Sequence, residues 1–390
     1  MPSMHIAHAL RTIRLSLGGP PVSLIDMCQA LHDRGHRVSV LSPFPDDVPA
    51  RWLRGDGPSV FRQPIRSPKW GKLTRAGVRQ AREALQGVDM LHLHMPWDPL
   101  NHQLASIARS MRVPYCVSTR GTLDDWAMAQ KRIKKLAFMA LYGRRFLENA
   151  AFVHCTAEGE RIQSERWYPR GRTVVIPNLL NMSAFERLPD PALADREFGI
   201  APDVPVLLYL SRIHPGKGLE FVIHSMPDVL AKNPRAVLVV AGDGNAEFVA
   251  KIRATIEERG VSANVRLVGF VSGATKASLL RRASVFLLPS SHENFGNAVF
   301  QAAACGTPVV ITRQVETWRE LWLGRVARLV QQDPWEIAAV VNDELSKPED
   351  ERAAQARRVR DWTFEFFGGD RIIRMYEDAY ASRSVQPGAA

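Results

Sequence analysis

Short runs of apolar residues alternate along the chain with longer segments in which apolar residues recur at helical spacing. Buried parallel strands have this continuous apolar character, and the helical segments between them supply the crossover connections. The first half therefore predicts parallel strands at His5–Ala9, Arg37–Leu41, Val88–Leu93, Tyr115–Ser118, Phe152–Cys155 and Val174–Ile176.

The same pattern begins again after a polar stretch from Asn181 to Pro205. Further strands are expected at Val206–Leu210, Ala236–Val240, Val265–Leu267, Val285–Leu288 and Pro308–Ile311. The sequence thus predicts an α/β fold of two Rossmann-like domains joined near residues 181–200. We expect an N-terminal domain over 1–180, a C-terminal domain over 200–362, and a helical segment over 363–382 that packs back on the first domain. The last residues, Ser384–Ala390, are expected to fray.

Loops that follow strands are where chemistry is expected, because ligands of open α/β sheets bind beyond the carboxyl ends of the strands. The loop after the first strand contains Gly18 and Gly19, and a helix is expected over Val22–Arg34, ending before Gly35. Two domains that face each other would place two such sets of loops along one cleft, where we expect the site.

Composition narrows the class of protein. With 390 residues, 46% of them apolar, the chain can bury sizeable cores. No apolar stretch approaches the roughly 18 residues of a membrane-spanning helix, and the first residues lack the pattern of a signal peptide. Four widely spaced cysteines form neither a disulfide framework nor a zinc pattern. We expect a protein free in the cytoplasm or peripheral on the inner face of the cytoplasmic membrane.

The segment from Ser291 to Val310 is the most informative motif. It follows an apolar strand, turns at a glycine and opens into an alanine-rich helix near Gly296 and Asn297. The free N–H groups and positive end of such a helix, beside Glu293, suit a phosphate or a network of sugar hydroxyls. Gln301 lies about two turns further along and could line the same ligand. Alternatively, Glu293 only caps the helix and Gln301 is a polar residue on its surface.

The segment from Ser211 to Gly218, with the sequence SRIHPGKG, directly follows a predicted strand. Arg212 and Lys217 flank its glycine-containing turn, and a guanidinium together with an ammonium can hold a diphosphate. The alternative is that they are two surface cations beside a turn.

Together these segments resemble the retaining GT-B glycosyltransferases of the large family four. The resemblance spans nearly the whole chain, in the order GGP, IPN at Ile176–Asn178, LSRIHPGKG, VVAGDG, VRLVGFV and HENFGNAVFQAAACGTPVV. The segment STRGTLDDWAMAQKRIKKLAFMALYGRRFLENA further resembles a bacterial subgroup of cell-surface polysaccharide synthesis. The resemblance implies a nucleotide-sugar donor, a sugar or lipid-linked sugar acceptor, retention of anomeric configuration and no cofactor.

The resemblance also implies roles for individual residues. Arg212 and Lys217 would hold the donor diphosphate, and Glu293 would contact the hydroxyls of the donor sugar. The second Glu of the family's E-x7-E motif, which binds ribose, is replaced here by Gln301; its oxygen can still accept a hydrogen bond but has lost the charge. Further substrate contacts are expected from Gly18, Gly19, Asn178, Val268, Gly269, Phe295, Gly296 and Asn297.

A second departure from the family lies in the N-terminal half, where Arg120 occupies the region in which many relatives carry a His. Arg120 stays protonated and cannot act as a base, but it could neutralise a phosphate or orient an acceptor. His94, at the end of another strand, could contact either substrate or be a hydrogen-bonded structural residue. No two Asp residues are spaced D-x-D, and cations are available for the diphosphate, so we predict no metal.

Positive charge is concentrated in the first half. Residues 1–185 carry 26 Lys and Arg against 14 Asp and Glu, or +12, whereas residues 186–390 carry 25 against 26, or −1, which sum to +11. The basic segment Gln130–Arg145 is either a helix that lies on an anionic membrane or a core helix with a solvated basic face. The sequence has no recognisable nucleic-acid-binding motif, so we expect no nucleic-acid partner.

A front-face displacement, in which the departing diphosphate takes the acceptor proton, is the simplest account of such a transfer. Two alternatives stay open: a GT-B nucleotide-sugar 2-epimerase, and a degenerate sugar-nucleotide-binding scaffold that has lost catalysis.

Overall fold

A computed structural model describes residues 2–67, 71–368 and 370–382. The predicted tail Ser384–Ala390 lies outside these residues. The chain divides into two units, one comprising residues 1–180 and 369–390 and the other residues 181–368. Each unit is built on one parallel sheet, so the predicted α/β class is confirmed.

The first unit contains a seven-stranded sheet in the order β3-β2-β1-β4-β5-β6-β7, with every pairing parallel. Its strands are β1 His5–Ala9, β2 Arg37–Ser42, β3 Ser59–Arg62, β4 Met90–His94, β5 Tyr115–Ser118, β6 Val153–Cys155 and β7 Thr173–Val175. Its first helices are α1 Gly19–Asp33, α2 Ala50–Leu53, α3 Arg75–Ala84, α4 Pro99–Ser110, α5 Asp125–Ala129, α6 Arg132–Phe138, α7 Arg144–Glu148 and α8 Glu158–Ser164. A π-helical turn, Met139–Gly143, joins α6 to α7.

The second unit contains a six-stranded parallel sheet in the order β10-β9-β8-β11-β12-β13. Its strands are β8 Val206–Leu210, β9 Val237–Ala241, β10 Val265–Gly269, β11 Val285–Leu288, β12 Val309–Ile311 and β13 Ala327–Leu329. Its helices are α9 Ala192–Phe198, α10 Leu219–Lys232, α11 Ala246–Glu258, α12 Gly273–Arg282, α13 Asn297–Ala304, α14 Trp318–Leu323, α15 Pro334–Ser346 and α16 Glu349–Phe366.

The last helix, α17 Arg371–Ala381, belongs to the first unit and contacts α1. Arg34, just after α1, donates to both carboxylate oxygens of Glu377 on α17, at 2.6 and 3.0 Å. His36 donates to the same carboxylate at 2.9 Å, because its other ring nitrogen accepts from the backbone of Met4. Burial raises the pKa of Glu377, but its bonds with Arg34 and His36 outweigh that effect, and the pKa lies below its ordinary value.

Several elements and boundaries differ from the predicted ones. The apolar pattern did not indicate β3 or β13, which are short edge strands and in which Ala327 is the one buried residue. Helix α1 begins at Gly19, not at Val22, because prolines in the first turn need no hydrogen-bond partner there. The predicted boundary at residue 363 falls inside α16.

The strand order of each sheet reverses once, between β1 and β4 in the first unit and between β8 and β11 in the second. Loops that follow these strand pairs diverge to opposite faces and leave a crevice, the usual ligand position of an open α/β sheet. No helix in the described ranges is long and apolar enough to cross a bilayer.

Candidate functional site

The crevice of the second unit brings together two predicted site residues. Lys217 follows β8 and Glu293 follows β11, and the Lys217 Nζ donates to the Glu293 carboxylate at 2.7 Å. The same ammonium donates to the carbonyl oxygen of His292 at 2.9 Å. The side chain of Lys217 is only 12% exposed. It is therefore not a free surface cation, which was one interpretation of the sequence.

Glu293 is positioned through its backbone. Its N–H donates to the carbonyl oxygen of Gln314 at 3.1 Å, and its carbonyl oxygen accepts from Glu316 at 2.9 Å. Burial raises the pKa of its carboxyl, but the charge and hydrogen bond of Lys217 outweigh this and hold the pKa below its ordinary value. The carboxylate is therefore ionised at neutral pH.

Helix α13 starts where the sequence predicted, and its N-cap residue is not Glu293. The N-cap residue is Gly296, with φ 77° and no side-chain cap bond. The first amides of a helix have no intrahelical acceptor and carry partial positive charge. Gly296 therefore holds the N-cap position, and the positively polarised start of α13 lies beside Glu293.

Close backbone contacts hold the loop after β8. A side chain at Gly218, which has φ 73°, would place its Cβ 2.0 Å from the carbonyl oxygen of Pro289. The buried Tyr209 hydroxyl lies 3.4 and 3.3 Å from the carbonyl oxygens of Arg212 and Lys217. These contacts fix the turn that presents both cations, and Arg212 is exposed.

The other predicted residues of the second unit occupy several places. Phe295 is buried and stacks on Phe300, so its side chain belongs to the core. Asn297 is the first residue of α13, and Gln301 lies in its second turn. Val268 and Gly269 end β10, where the Gly269 carbonyl oxygen accepts from the N–H of Gly242 at 2.7 Å.

In the first unit, Gly18 precedes α1 with φ 89° and Gly19 is the first residue of that helix. Three further predicted residues meet at the carboxyl edge of the sheet. The Arg120 guanidinium, after β5, donates to Asn178 Oδ1 and to Nδ1 of His94, the latter at 3.2 Å. His94 must then carry its proton on Nε2, which lies 3.3 Å from Nδ1 of His8.

A chain of hydrogen bonds through buried strands lies next to this group and was not predicted from the sequence. His154 Nε2 bonds the carbonyl oxygen of Ile176 at 2.8 Å and must donate. Its Nδ1 then accepts from Ser118 at 2.7 Å, and Ser118 accepts from His92 Nε2 at 2.6 Å. The remaining nitrogen of His92 accepts from the Tyr380 hydroxyl at 2.7 Å. Every bond in this chain forms with both imidazoles neutral.

The physical cause of that neutrality is burial. Burial, assisted by the charge of Arg120, lowers the pKa of His8 to about 3 and that of His154 to about 3. Burial and neighbouring positive charges also hold the pKa of His92 and of His94 well below the ordinary value. His94 is therefore a neutral acceptor toward Arg120 at physiological pH.

Glu160 on α8 fixes the turn that carries Arg120. Its fully buried carboxylate accepts from the Thr119 hydroxyl at 2.6 Å and the Gly121 N–H at 2.5 Å, the residues on either side of Arg120. It also accepts from the N–H and hydroxyl of Thr156, at 2.6 and 2.9 Å. Arg120 has φ 54°, a left-handed conformation that a non-glycine residue keeps only when its surroundings impose it.

His8, His92 and His94 each offer a ring nitrogen within 4.8 Å of the others, a spacing that a metal ion could bridge. However, both nitrogens of His92 already hold hydroxyl groups, and the Arg120 guanidinium places positive charge on His94. The cluster is therefore better suited to a hydrogen-bond network than to a cation.

Comparison with known proteins shows the family to which the chain belongs. The fold matches that of HepE (Alr3699) from Anabaena, solved in complex with UDP and glucose, with a TM-score of 0.77 and 18% identity over 98% of this chain and all of that one. Residues 192–362 match the family described as glycosyl transferases group 1, and residues 18–179 match the glycosyl transferase 4-like domain. The chain is a glycosyltransferase of the GT-B type.

Other relatives of this glycosyltransferase extend over nearly its whole length. The phosphatidyl-myo-inositol mannosyltransferase of Mycobacterium tuberculosis is 26% identical over 94% of both chains. A glycosyltransferase structure from Rickettsia africae has a TM-score of 0.81 with 14% identity, covering 99% of this chain and all of that one.

Proposed function

We propose that this glycosyltransferase moves a sugar from a nucleotide-sugar donor to a sugar acceptor, free or lipid-linked, in the synthesis of envelope polysaccharide, with retention of anomeric configuration. The observation that carries the proposal is the Lys217–Glu293 pair in the crevice between β8 and β11, beside the start of α13. The solved complex of HepE with UDP and glucose supports the donor class. The mannosyltransferase relative is named for a lipid, phosphatidyl-myo-inositol, and this supports a lipid-linked acceptor.

In the proposed mechanism, Arg212 and Lys217 bind the donor diphosphate, and the first amides of α10 and α13 add partial positive charge. Glu293 accepts from hydroxyls of the donor sugar, and Gln301 accepts from the ribose. As the bond between the anomeric carbon and the diphosphate breaks, these groups stabilise the developing negative charge. The acceptor oxygen attacks from the same face, and its proton passes to the departing diphosphate oxygen.

In the first unit, Arg120 is the proposed acceptor-side contact, together with His94 and Asn178. Among the described residues, no carboxylate lies within 4 Å of the Arg120 guanidinium. A buried guanidinium without a carboxylate partner favours an anionic or strongly polar ligand. The neutral His94 orients this guanidinium and does not compete for the ligand as a second cation.

A panel of nucleotide sugars, incubated with and without saccharide acceptors, tests the proposal. Transfer produces a glycosylated acceptor and a free nucleoside diphosphate only when an acceptor is present. A new nucleotide sugar formed without acceptor would establish an epimerase instead, and binding without either product would establish a scaffold. The glycosyltransferase family models favour transfer over these alternatives.

Lys217→Ala connects the activity to the proposed site. Loss of a charge-assisted contact to a diphosphate costs about 1.5–3 kcal/mol, so donor use should fall by roughly tenfold to over a hundredfold. Lys232→Ala, at the exposed far end of α10, is the matched control and should retain full activity. Unchanged donor affinity and turnover in Lys217→Ala would contradict the assignment.

Transfer should also survive chelation, because cations and helix amides can neutralise the diphosphate without a metal. Activity is measured after EDTA treatment and dialysis, with added Mg²⁺ or Mn²⁺ in parallel. Complete loss on chelation, restored by either ion, would show a required metal.

A further inference from the structure

The helical segment from α6 to α7 has two apolar faces, one of which points away from the protein. The inner face packs on the first unit: the Phe138 ring lies 5.3 Å from that of Trp97, at a tilt of 49°, and the Phe146 ring lies 4.1 Å from that of His102. Met139 and Gly143, in the π-helical turn, are also buried. This inner face accounts for the attachment of the segment to the core.

The outer face has the spacing of a buried helix stripe but is exposed. Its residues follow the i, i+3, i+4, i+7, i+8 pattern that normally faces a core. All of them are nevertheless exposed to solvent: Ile133, Leu136, Ala137, Ala140 and Leu141. Ile133 is 85% exposed and Leu141 is 69% exposed.

Exposed apolar side chains concentrate at this one place. Of the twelve large hydrophobic residues exposed in the described part of the chain, five lie within residues 126–142. The set is Trp126, Ile133, Leu136, Leu141 and Tyr142. Scattered exposed hydrophobics need no explanation, whereas a cluster marks an interaction surface.

Cations surround this apolar stripe, and acidic residues are absent from positions 126–147 of the sequence. Lys131, Arg132, Lys134 and Arg145 are all exposed. Lys135 is directed inward instead: its Nζ donates to the carbonyl oxygen of Ala127 at 2.5 Å and lies 5.1 Å from the ring of Trp97. The outward surface is therefore apolar along its centre and basic at its sides.

We propose that this outward face, residues 131–145, docks on a bilayer that contains anionic lipids. A lipid surface offers an apolar interior for Ile133 and Leu141 and negative headgroups for the flanking cations, so both halves of the pattern are satisfied. A second copy of the chain fits poorly, because a two-fold contact would bring the same basic residues against one another. This inference stands apart from the sugar chemistry proposed above and does not depend on it.

Sedimentation of the full chain with vesicles tests the proposal. Vesicles of phosphatidylcholine with phosphatidylglycerol are compared with vesicles of phosphatidylcholine alone, and the protein should sediment only with the former. The triple variant Arg132→Gln, Lys134→Gln and Arg145→Gln should bind about a hundredfold more weakly, since each basic residue near such a surface contributes about fivefold. The matched control replaces three exposed arginines of α16 in the same way, Arg352→Gln, Arg357→Gln and Arg358→Gln, and should leave vesicle binding unchanged.

A separate variant tests the contribution of the exposed apolar side chains to vesicle binding. Ile133→Ser with Leu141→Ser keeps every charge and should still weaken vesicle binding by at least about tenfold. Leu53→Ser with Leu323→Ser replaces two similarly exposed leucines elsewhere and should have no effect. Transfer to a soluble acceptor should be unchanged in all four variants, so a failure of this proposal is distinguishable from a failure of the proposed catalytic function.

Vesicle binding that is equal in the wild type and in both sets of surface variants would overturn the proposal. So would a wild type that ignores anionic vesicles but forms a dimer that Ile133→Ser and Leu141→Ser dissociate, because this face would then be a protein interface.

Discussion

We propose that Glu293 and Gln301 correspond to the two carboxylate positions of the family's E-x7-E motif, and of these two residues only Glu293 is charged. The Lys217 ammonium keeps Glu293 ionised in the free protein, whereas Gln301 offers a neutral amide oxygen from the second turn of α13. Glu293→Gln should lower turnover by orders of magnitude, because the neutral amide accepts more weakly from sugar hydroxyls. Gln301→Glu should keep turnover within about tenfold and tighten donor binding by up to about 1.5 kcal/mol.

Steady-state kinetics of both variants, with donor affinity measured separately, checks this asymmetry. A comparable collapse of turnover in both would mean that Gln301 has a specialised role that the family pattern does not describe. If neither change altered turnover in a protein that still binds nucleotide sugar, the non-catalytic scaffold would be favoured.

Glu160 is a buried carboxylate that accepts four hydrogen bonds from neutral donors, two from the residues on either side of Arg120 and two from Thr156. In Glu160→Gln one of the two acceptor oxygens becomes an NH₂ group, which faces donors. We expect a loss of about 2 kcal/mol or more in the free energy of unfolding, because bonds to a charged group are lost and donors are left unpaired. Urea unfolding measures it, with Glu165→Gln on the exposed side of the same region as control.

If Glu160→Gln were as stable as the wild type, the left-handed turn at Arg120 would be held by other contacts.

Helix α17 contributes a buried tyrosine hydroxyl, that of Tyr380, to the core of the first unit. The Tyr380 hydroxyl donates to Nδ1 of His92, which is buried and has its other nitrogen engaged with Ser118. Tyr380→Phe leaves that nitrogen without its donor and should cost about 1–3 kcal/mol of stability. Tyr142→Phe removes an exposed hydroxyl and should cost nothing measurable.

Equilibrium unfolding in urea compares the two tyrosine variants. Equal stability of both would indicate that a rearranged side chain or a water molecule donates to Nδ1 of His92 in place of the Tyr380 hydroxyl.

Which elements the sequence predicted depends on how they are buried. Strands such as β8, with the sequence VLLYL, are apolar throughout and could be read directly. Lys217 and Glu293 could each be singled out because each follows a buried strand, but their ion pair was not predicted, since it depends on the order of the strands in the sheet. The histidine network could not be predicted, because it joins residues of separate strands to α17, which is distant from them in the sequence. The local signals were histidines within apolar strands, as in the alternation LHLH of β4 and at His8 in β1 and His154 in β6.

At the scale of the whole molecule, the buried histidines make stability depend on pH. The pKa of His8 and of His154 falls from 6.5 to about 3 on folding, so the unfolded chain binds more protons between these values. The contribution of these two neutral histidines to the free energy of unfolding is fully present above pH 6.5 and is lost as the pH falls toward 3. From pH 7 to 5 each should remove about 2 kcal/mol of unfolding free energy. His92 and His94 act in the same direction.

Denaturant unfolding at several pH values between 7 and 5 measures this slope, and calorimetry in buffers of different ionisation enthalpy measures the proton uptake. Stability that stays flat across this range would contradict the neutral, buried assignment of the imidazoles.

The return of the chain to its first unit sets an order of assembly during synthesis. The ribosome finishes residues 1–180 long before α17, yet that unit contains α17 and its partners Arg34, His36 and His92. The second unit, residues 181–368, is complete in sequence earlier, so the half that is translated first is the half that matures last. Residues 1–180 expressed alone would therefore lack part of the core of the first unit. A first unit that folds by itself would need α17 fused to the end of residues 1–180.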